Sequence, residues 1–407
     1  MSNPIVPKAT ISLPDGFRFS AVIPVVDGHL LSTAPAPPSL GPLAAFVGSW
    51  EGSGFNTIFR PDNPVTPTPL PTPVPVSDNI LELNLTSETL TFSPSLGAVP
   101  NRGSNPQGDI FLNGVPYLQA INDVTIAGQT TGIHLEPGMW VIVPSTTAPA
   151  EGQTLVRMAS IPHGTTIQAQ GVSTTAAGKP IIPAVNITPF VTGQSQATAP
   201  ITFPSQTATN QGTPRIPQDL TSFIAAGTIT QAMLTDPNTV LRNHIATQTI
   251  TTTTTISIDT LAPTGTNPPT QPAAGTPAFG GGTDNIAFLQ GDGAKPLPTR
   301  PNAQSLQMTA TFWIEAVEQT IVVPVFKPGQ PPLLVKPETT VIGQRVPTFS
   351  VTPPKEITEP ITIKVTSTQI QYSQTVLLNF NGLTWPHISV ATLVPADAVV
   401  VPPSAWE

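Results

Sequence analysis

Short runs of alternating apolar and polar residues, broken by glycine, asparagine and proline, make up most of this chain, and sustained helical spacing is almost absent. Strand-like runs cover Gly52 to Phe59, Ile80 to Leu85, Ile110 to Phe111 with Tyr117 to Ile121, Trp140 to Val143, Thr154 to Ile161 and Thr165 to Gly171. Further runs are Val240 to Ile258, Ser305 to Glu318, Ile321 to Phe326 and Ile361 to Thr366, followed by a closing hairpin from Gln369 to Leu393. Leu40 to Val47 and Leu220 to Ala226 are the two short segments with helix-like spacing. Asn113-Gly114, Pro137-Gly138 and Pro328-Gly329 read as additional turns. Regular short strands with such turns predict an all-β chain, folded as an antiparallel sandwich or barrel.

The closing hairpin is the most sharply defined element. Asn381-Gly382 lies between two alternating runs and suits a type I′ turn, which needs positive φ at both central residues. That turn sets Phe380 opposite Leu383, Leu378 opposite Trp385 and Val376 opposite His387. One face then reads Val376, Leu378, Phe380, Leu383, Trp385, His387, Ser389, Ala391 and Leu393, while the other is more mixed and lacks aromatics. His387 is predicted to point inward on condition that Pro386 introduces no bulge, because a bulge reverses the parity of the residues beyond it.

Composition narrows the function classes. At 407 residues the chain can bury a substantial core. The 52 prolines and 30 glycines raise the question of disorder, but 39% hydrophobic residues in β-branched clusters answer it with folded strands joined by proline-rich loops. A net charge of −8 with only 15 Lys plus Arg leaves no basic stripe to neutralise phosphates, so nucleic acid is not an expected partner. The absence of cysteine excludes disulfides, thiolate metal sites, iron–sulfur clusters and a thiolate haem ligand. Met1 to Phe19 lacks a basic region followed by an apolar core, and no run approaches the roughly 18 apolar residues of a membrane helix. The expected location is cytoplasmic, with no membrane span and the oligomeric state left open. The expected organisation is an N-terminal extension over 1–39, a barrel domain over 40–398 and a tail over 399–407. Long insertions rich in Pro, Thr and Gly are expected at 61–75, 173–214 and 263–301.

Gly48-Ser49-Trp50-Glu51-Gly52-Ser53-Gly54, within Leu43 to Pro61, resembles the opening strand of the nitrobindin-like family, haem-binding barrels akin to lipocalin and fatty-acid-binding barrels. Trp385-Pro386-His387-Ile388-Ser389-Val390-Ala391-Thr392-Leu393 is similar to that family's histidine-bearing last strand. The resemblance covers a small part of a chain far longer than a minimal barrel. It implies an antiparallel β-barrel of about ten or more strands with long Pro/Thr/Gly-rich loops, first and last strands adjacent. It further implies haem b held by His387 as the iron ligand, with Trp385, Phe380 and Leu378 as the pocket wall and Trp50 at the barrel entry. His244, in Arg242-Asn243-His244-Ile245, is the best candidate for a distal residue and reads otherwise as a solvent-facing histidine at the start of a strand. Turnover, if any, would be of a haem-dependent isomerase or peroxidase type, on peroxide-like or nitrogen-oxide species. Neutral imidazole suits haem iron and an apolar wall shields the macrocycle. The same histidine also reads as a core residue bonded to backbone, or as the group that meets a lipid or pigment in a non-enzymatic carrier. A structural or surface protein fits the low charge and high Pro plus Thr content.

Other candidates are weaker. His134 and Glu136 share one side of a strand, and the apolar flanks Ile133 and Leu135 predict that both point outward, with no third metal ligand at a recognisable spacing. His163, in Pro162-His163-Gly164, is read as a hairpin turn or a group at the barrel mouth, and His29 as turn surface. Glu315 and Glu318 fall on opposite faces, Thr251 to Thr255 forms a strand hydroxylated on both faces, and Gly280-Gly281-Gly282 is loop. Hydrolase elbow, zinc-protease and phosphate-loop motifs are absent from the sequence.

Overall fold

The computed structural model describes residues 36–260, 281–292, 301–339 and 344–406, with positions 11, 17, 19, 25, 26, 29, 30 and 295 outside those segments. Ten long strands follow in sequence order: β1 (Gly48–Pro61), β2 (Asn79–Phe92), β3 (Ile110–Asp123), β4 (Thr131–Val143) and β5 (Thr154–Ile161). They continue as β6 (Thr165–Ala177), β7 (Thr249–Asp259), β8 (Gln304–Val323), β9 (Ile361–Phe380) and β10 (Leu383–Pro395). Each pairs antiparallel with the next, and β10 pairs with β1, so the sheet closes into a ten-stranded barrel without open edges.

The glycines of the opening motif serve that closing seam. A β-carbon on Gly54 would lie 2.0 Å from the Val390 carbonyl oxygen, and one on Gly52 would lie 2.1 Å from that of Thr392. Only glycine allows β1 and β10 to approach this closely. Close approach also explains two mistaken turns. Asn113-Gly114 lies inside β3, which runs unbroken from Ile110, and Pro137-Gly138 lies inside β4. A β-carbon on Gly114 would meet the Trp140 carbonyl at 2.3 Å, and one on Gly138 the Tyr117 ring at 2.5 Å. Pro328-Gly329 is a turn, with Gly329 at φ 92°.

Three hydrophobic clusters share the barrel wall. The first fills one end of the lumen, where a 3-10 turn at Gly41–Phe46, expected as a helix, inserts Leu43 and Phe46 among Trp50, Phe92, Trp140 and Phe312. The second lies outside the wall. There the mixed face of the last strand, Ile388 and Val390, joins Phe55, Leu83 and Trp313 beneath an insertion spanning residues 178–248. That insertion carries α1 (Thr221–Ala226), α2 (Gln231–Thr235) and α3 (Thr239–Ile245). The strand expected from Val240 therefore begins only at Thr249. Leu241 and Ile245, four residues apart, turn one face of α3 onto the barrel, a helical spacing that the β-branched residues around it obscured.

The third cluster lies past the barrel rim. Strands β8 and β9 extend there as a ribbon and pack on a small sheet of Leu333–Val335, Phe349–Val351 and Val399–Val400. The expected tail thus begins with a paired strand. Among the described residues, no helix is long and apolar enough to cross a membrane.

Candidate functional site

The last hairpin forms as its turn dictates: Asn381 has φ 50° and Gly382 φ 79°. Register runs without interruption through Leu377–Pro386 to Val376–His387. Pro386 is tolerated because β10 pairs with β1 only from Ile388 onward, so the missing N–H faces no ladder partner on that side. His387 consequently points into the lumen.

There the Asn56 amide donates to His387 Nε2 and to Ser389 Oγ, both at 2.8 Å, while Asn84 donates to Asn56 Oδ1 at 3.3 Å. The Asn84 bond fixes the Asn56 carboxamide so that its nitrogen faces the imidazole, leaving Nε2 as the acceptor. His387, Ser389, Gln374 and Val376 are partly rather than fully buried while facing inward, so the lumen is not completely packed at their level. Burial, reinforced by the positive potential of His134 and His163, holds the imidazole neutral down to about 3.

A polar floor lies deeper. Glu136, fully buried, accepts from Tyr117 Oη and from Arg157 Nη2 at 2.5 Å, and its second oxygen meets His134 Nε2 at 3.2 Å. Arg157 also donates to Tyr117 Oη at 2.8 Å and Gln374 Oε1 at 2.7 Å, with the Tyr117, Trp140 and Phe312 rings around its guanidinium. Burial pushes the Glu136 carboxyl up, but the Arg157 charge, His134 and Tyr117 outweigh it and hold the pKa at about 2. Glu88 beside them accepts from Tyr372 Oη and Gln119 Nε2, both at 2.7 Å; burial outweighs those bonds and raises it to about 7.

The expectation that His134 and Glu136 point outward is therefore overturned. Leu135 is the residue facing solvent, 47% exposed, while Glu136 is inside. Apolar flanks mislead here because a paired, hydrogen-bonded charge cluster occupies the lumen. Arg157, Glu88, Tyr117, Tyr372 and Gln119 escaped notice in the sequence. Their signal was a charge, Arg157, interrupting the apolar alternation of Leu155 and Ala159.

Of the other expected site residues, Trp385, Phe380 and Leu378 share the strand face of His387 but pack toward the insertion, while Trp50 and His244 lie elsewhere. Trp385 stacks on Phe380 at 4.5 Å and on Phe203 at 5.2 Å, and its Nε1 donates to the Phe380 carbonyl at 2.9 Å. With Leu378 they belong to the second cluster, at the rim where the insertion meets the wall. Trp50 sits at the closed end, donating to the Phe46 carbonyl at 2.7 Å, roughly 25 Å along β1 from the level of His387. His244 is on α3, outside the wall, so it occupies no distal position in the lumen. Burial lowers it to about 4 against a bond with Gln369. Gln369 also donates to the buried Glu315 at 2.6 Å, whose carboxyl burial raises to about 8, whereas Glu318 pairs with Lys364 on the surface side. His163 occupies the β5–β6 turn and reaches the Ile133 carbonyl at 3.1 Å. Gly280 lies outside the described residues, while Gly282 begins a short strand paired with β6.

Among the described residues no group of three or more metal-ligating side chains converges. A groove of about 710 Å³ on β4 to β6, lined by Met139 and Met158, includes neither His387 nor any residue of the Arg157–Glu136 cluster. A haem at His387 would have to displace Asn56 from Nε2, and the aromatic pair expected to stack on the macrocycle packs on Phe203 instead.

By fold and site the chain is a closed ten-stranded antiparallel barrel with one apolar end, a charged floor and a lumenal histidine. No protein-family profile matches it, and no curated protein matches its sequence. Among solved structures, the crystal structure of Rv2717c from M. tuberculosis is similar at 9% identity and a TM-score of 0.31, over 88% of this chain and 98% of that one. A likeness at that level carries no argument about function.

Proposed function

We propose that this protein binds a small molecule in the less tightly packed half of its barrel lumen, with His387 as the side chain that meets it. The supporting observation is that His387, Ser389, Gln374 and Val376 face inward yet keep accessible surface above the Arg157–Glu136 floor. Ser389 and Gln374 supply hydrogen bonds and Val376 an apolar contact, a mixture that suits an uncharged organic ligand with one polar end, carried rather than turned over.

Haem b is the second reading, favoured by one observation: His387 is lumenal and neutral, the form that binds iron. It requires Asn56 to swing off Nε2. Titrating the protein with hemin, and separately with a fluorescent fatty-alcohol analogue, distinguishes the two readings. Under the carrier reading the analogue binds, His387→Ala weakens it about five- to tenfold, and hemin gives no Soret shift. Under the haem reading a Soret shift develops, disappears in His387→Ala and strengthens in Asn56→Ala. If neither probe binds, the lumen proposal fails.

A further inference from the structure

A second site lies on the outside of the barrel, in a groove between the wall and residues 182–185 of the insertion. Strand register lays two rows of outward side chains across β6 to β9: Val172, Ser257, Thr311, Ser373 and, beside them, Gln170, Asp259, Thr309, Thr375. Paired strands stand about 4.8 Å apart and same-face residues about 7 Å apart along each strand, so the polar groups form a regular grid. Pro183, Val185 and Asn238 wall the groove, which encloses about 430 Å³, inside the roughly 300–1,000 Å³ of small-molecule sites.

That wall is held in place. Asp236 Oδ1 accepts from the backbone N–H groups of Val185 at 3.0 Å and Asn238 at 3.1 Å, and the Asn238 amide donates to the Pro183 carbonyl at 2.8 Å. Arg242 bonds the Ile182 carbonyl at 3.2 Å and pairs with Asp236. Asn238 Oδ1 is the exception: it is buried at this wall without a hydrogen-bond partner. A buried acceptor left unpaired is costly, and a donor supplied from the groove side satisfies it once the side chain shifts slightly.

Charge and polarity select the ligand class. Neither lysine nor arginine lines the groove, which disfavours anions, and its one carboxylate, Asp259, is already bonded by Gln307 at 3.0 Å. Hydroxyls and amides that both donate and accept alternate with aliphatic surface from Val172, Pro183 and Val185. A pyranose ring presents the matching surface, with hydroxyls around its rim and C–H groups on its faces. We propose that this groove binds a neutral carbohydrate of one or two pyranose rings.

The test is a titration of the full chain with glucose, galactose, mannose, xylose, cellobiose and maltose, read by calorimetry and saturation-transfer NMR. At least one sugar is expected to bind with Kd of about 1 mM or tighter. Thr311→Val, which removes one hydroxyl without changing shape, is expected to weaken it about three- to tenfold, and Ser257→Trp, which fills the groove, to abolish it. His387→Ala leaves sugar binding unchanged, separating this site from the lumen. Circular dichroism and urea midpoints check that both groove variants fold. The proposal is overturned if no sugar binds, or if binding persists undiminished in folded Ser257→Trp.

Discussion

Glu136→Gln offers the sharpest test of the lumen floor. The substitution keeps the shape of the side chain and removes its charge, leaving Arg157 with 3% of its side chain exposed and no carboxylate bonded to it. Breaking a buried pair from one side costs about 3–5 kcal/mol, because the remaining charge stays desolvated. Tyr117 and Gln374 still accept from the guanidinium, so the lower half of that range is expected. Urea unfolding of the wild type and Glu136→Gln at pH 7, analysed at a common m-value, measures the loss. The double variant Glu136→Gln/Arg157→Met is expected to recover most of it, since a buried pair exchanged for apolar volume is often close to neutral. A loss below about 1 kcal/mol for Glu136→Gln would refute the reasoning, because Arg157 would then have water or another anion available.

Acid titration tests the histidines. The folded form keeps His387 neutral to about 3 and His244 to about 4, against an ordinary 6.5, so the unfolded chain binds protons that the folded chain refuses. Their contribution to stability is complete above pH 6.5 and declines as pH falls toward those values. Imidazole NMR shifts should show both rings neutral at pH 5.5, and a charged His387 there would contradict its lumenal placement. Arg215→Ala targets the insertion. The fully buried guanidinium donates to the backbone carbonyls of Ser205, Thr207, Ala208, Asn210, Pro217 and Gln218, at 2.8–3.2 Å, and each loss costs about 0.5–1.5 kcal/mol. Limited proteolysis between residues 203 and 220 is expected to accelerate at least about tenfold with the barrel intact, and an unchanged rate would mean that the segment holds without it.

Alternation and turn chemistry alone determined the closing hairpin. Asn381-Gly382 set its register, and the register placed His387 inside, because a two-residue turn leaves no freedom in which residues oppose. The β class was legible for the same local reason. Trp385 and Phe380 share the strand face of His387, yet the insertion claims them through Phe203, a residue 182 positions away from Trp385 whose approach no local pattern encodes. Gly114 and Gly138 looked like turns because the carbonyl and the ring that need their space come from neighbouring strands. Glu136 looked outward because its partner, Arg157, lies on the next strand. The sequence by itself thus determined most of the strands, the final turn and the direction of His387, all consequences of backbone geometry within a few residues. Closure of the sheet, the charged floor and the covering of the outer wall were decided by tertiary structure, because only folding tells a charge or a glycine what stands opposite it.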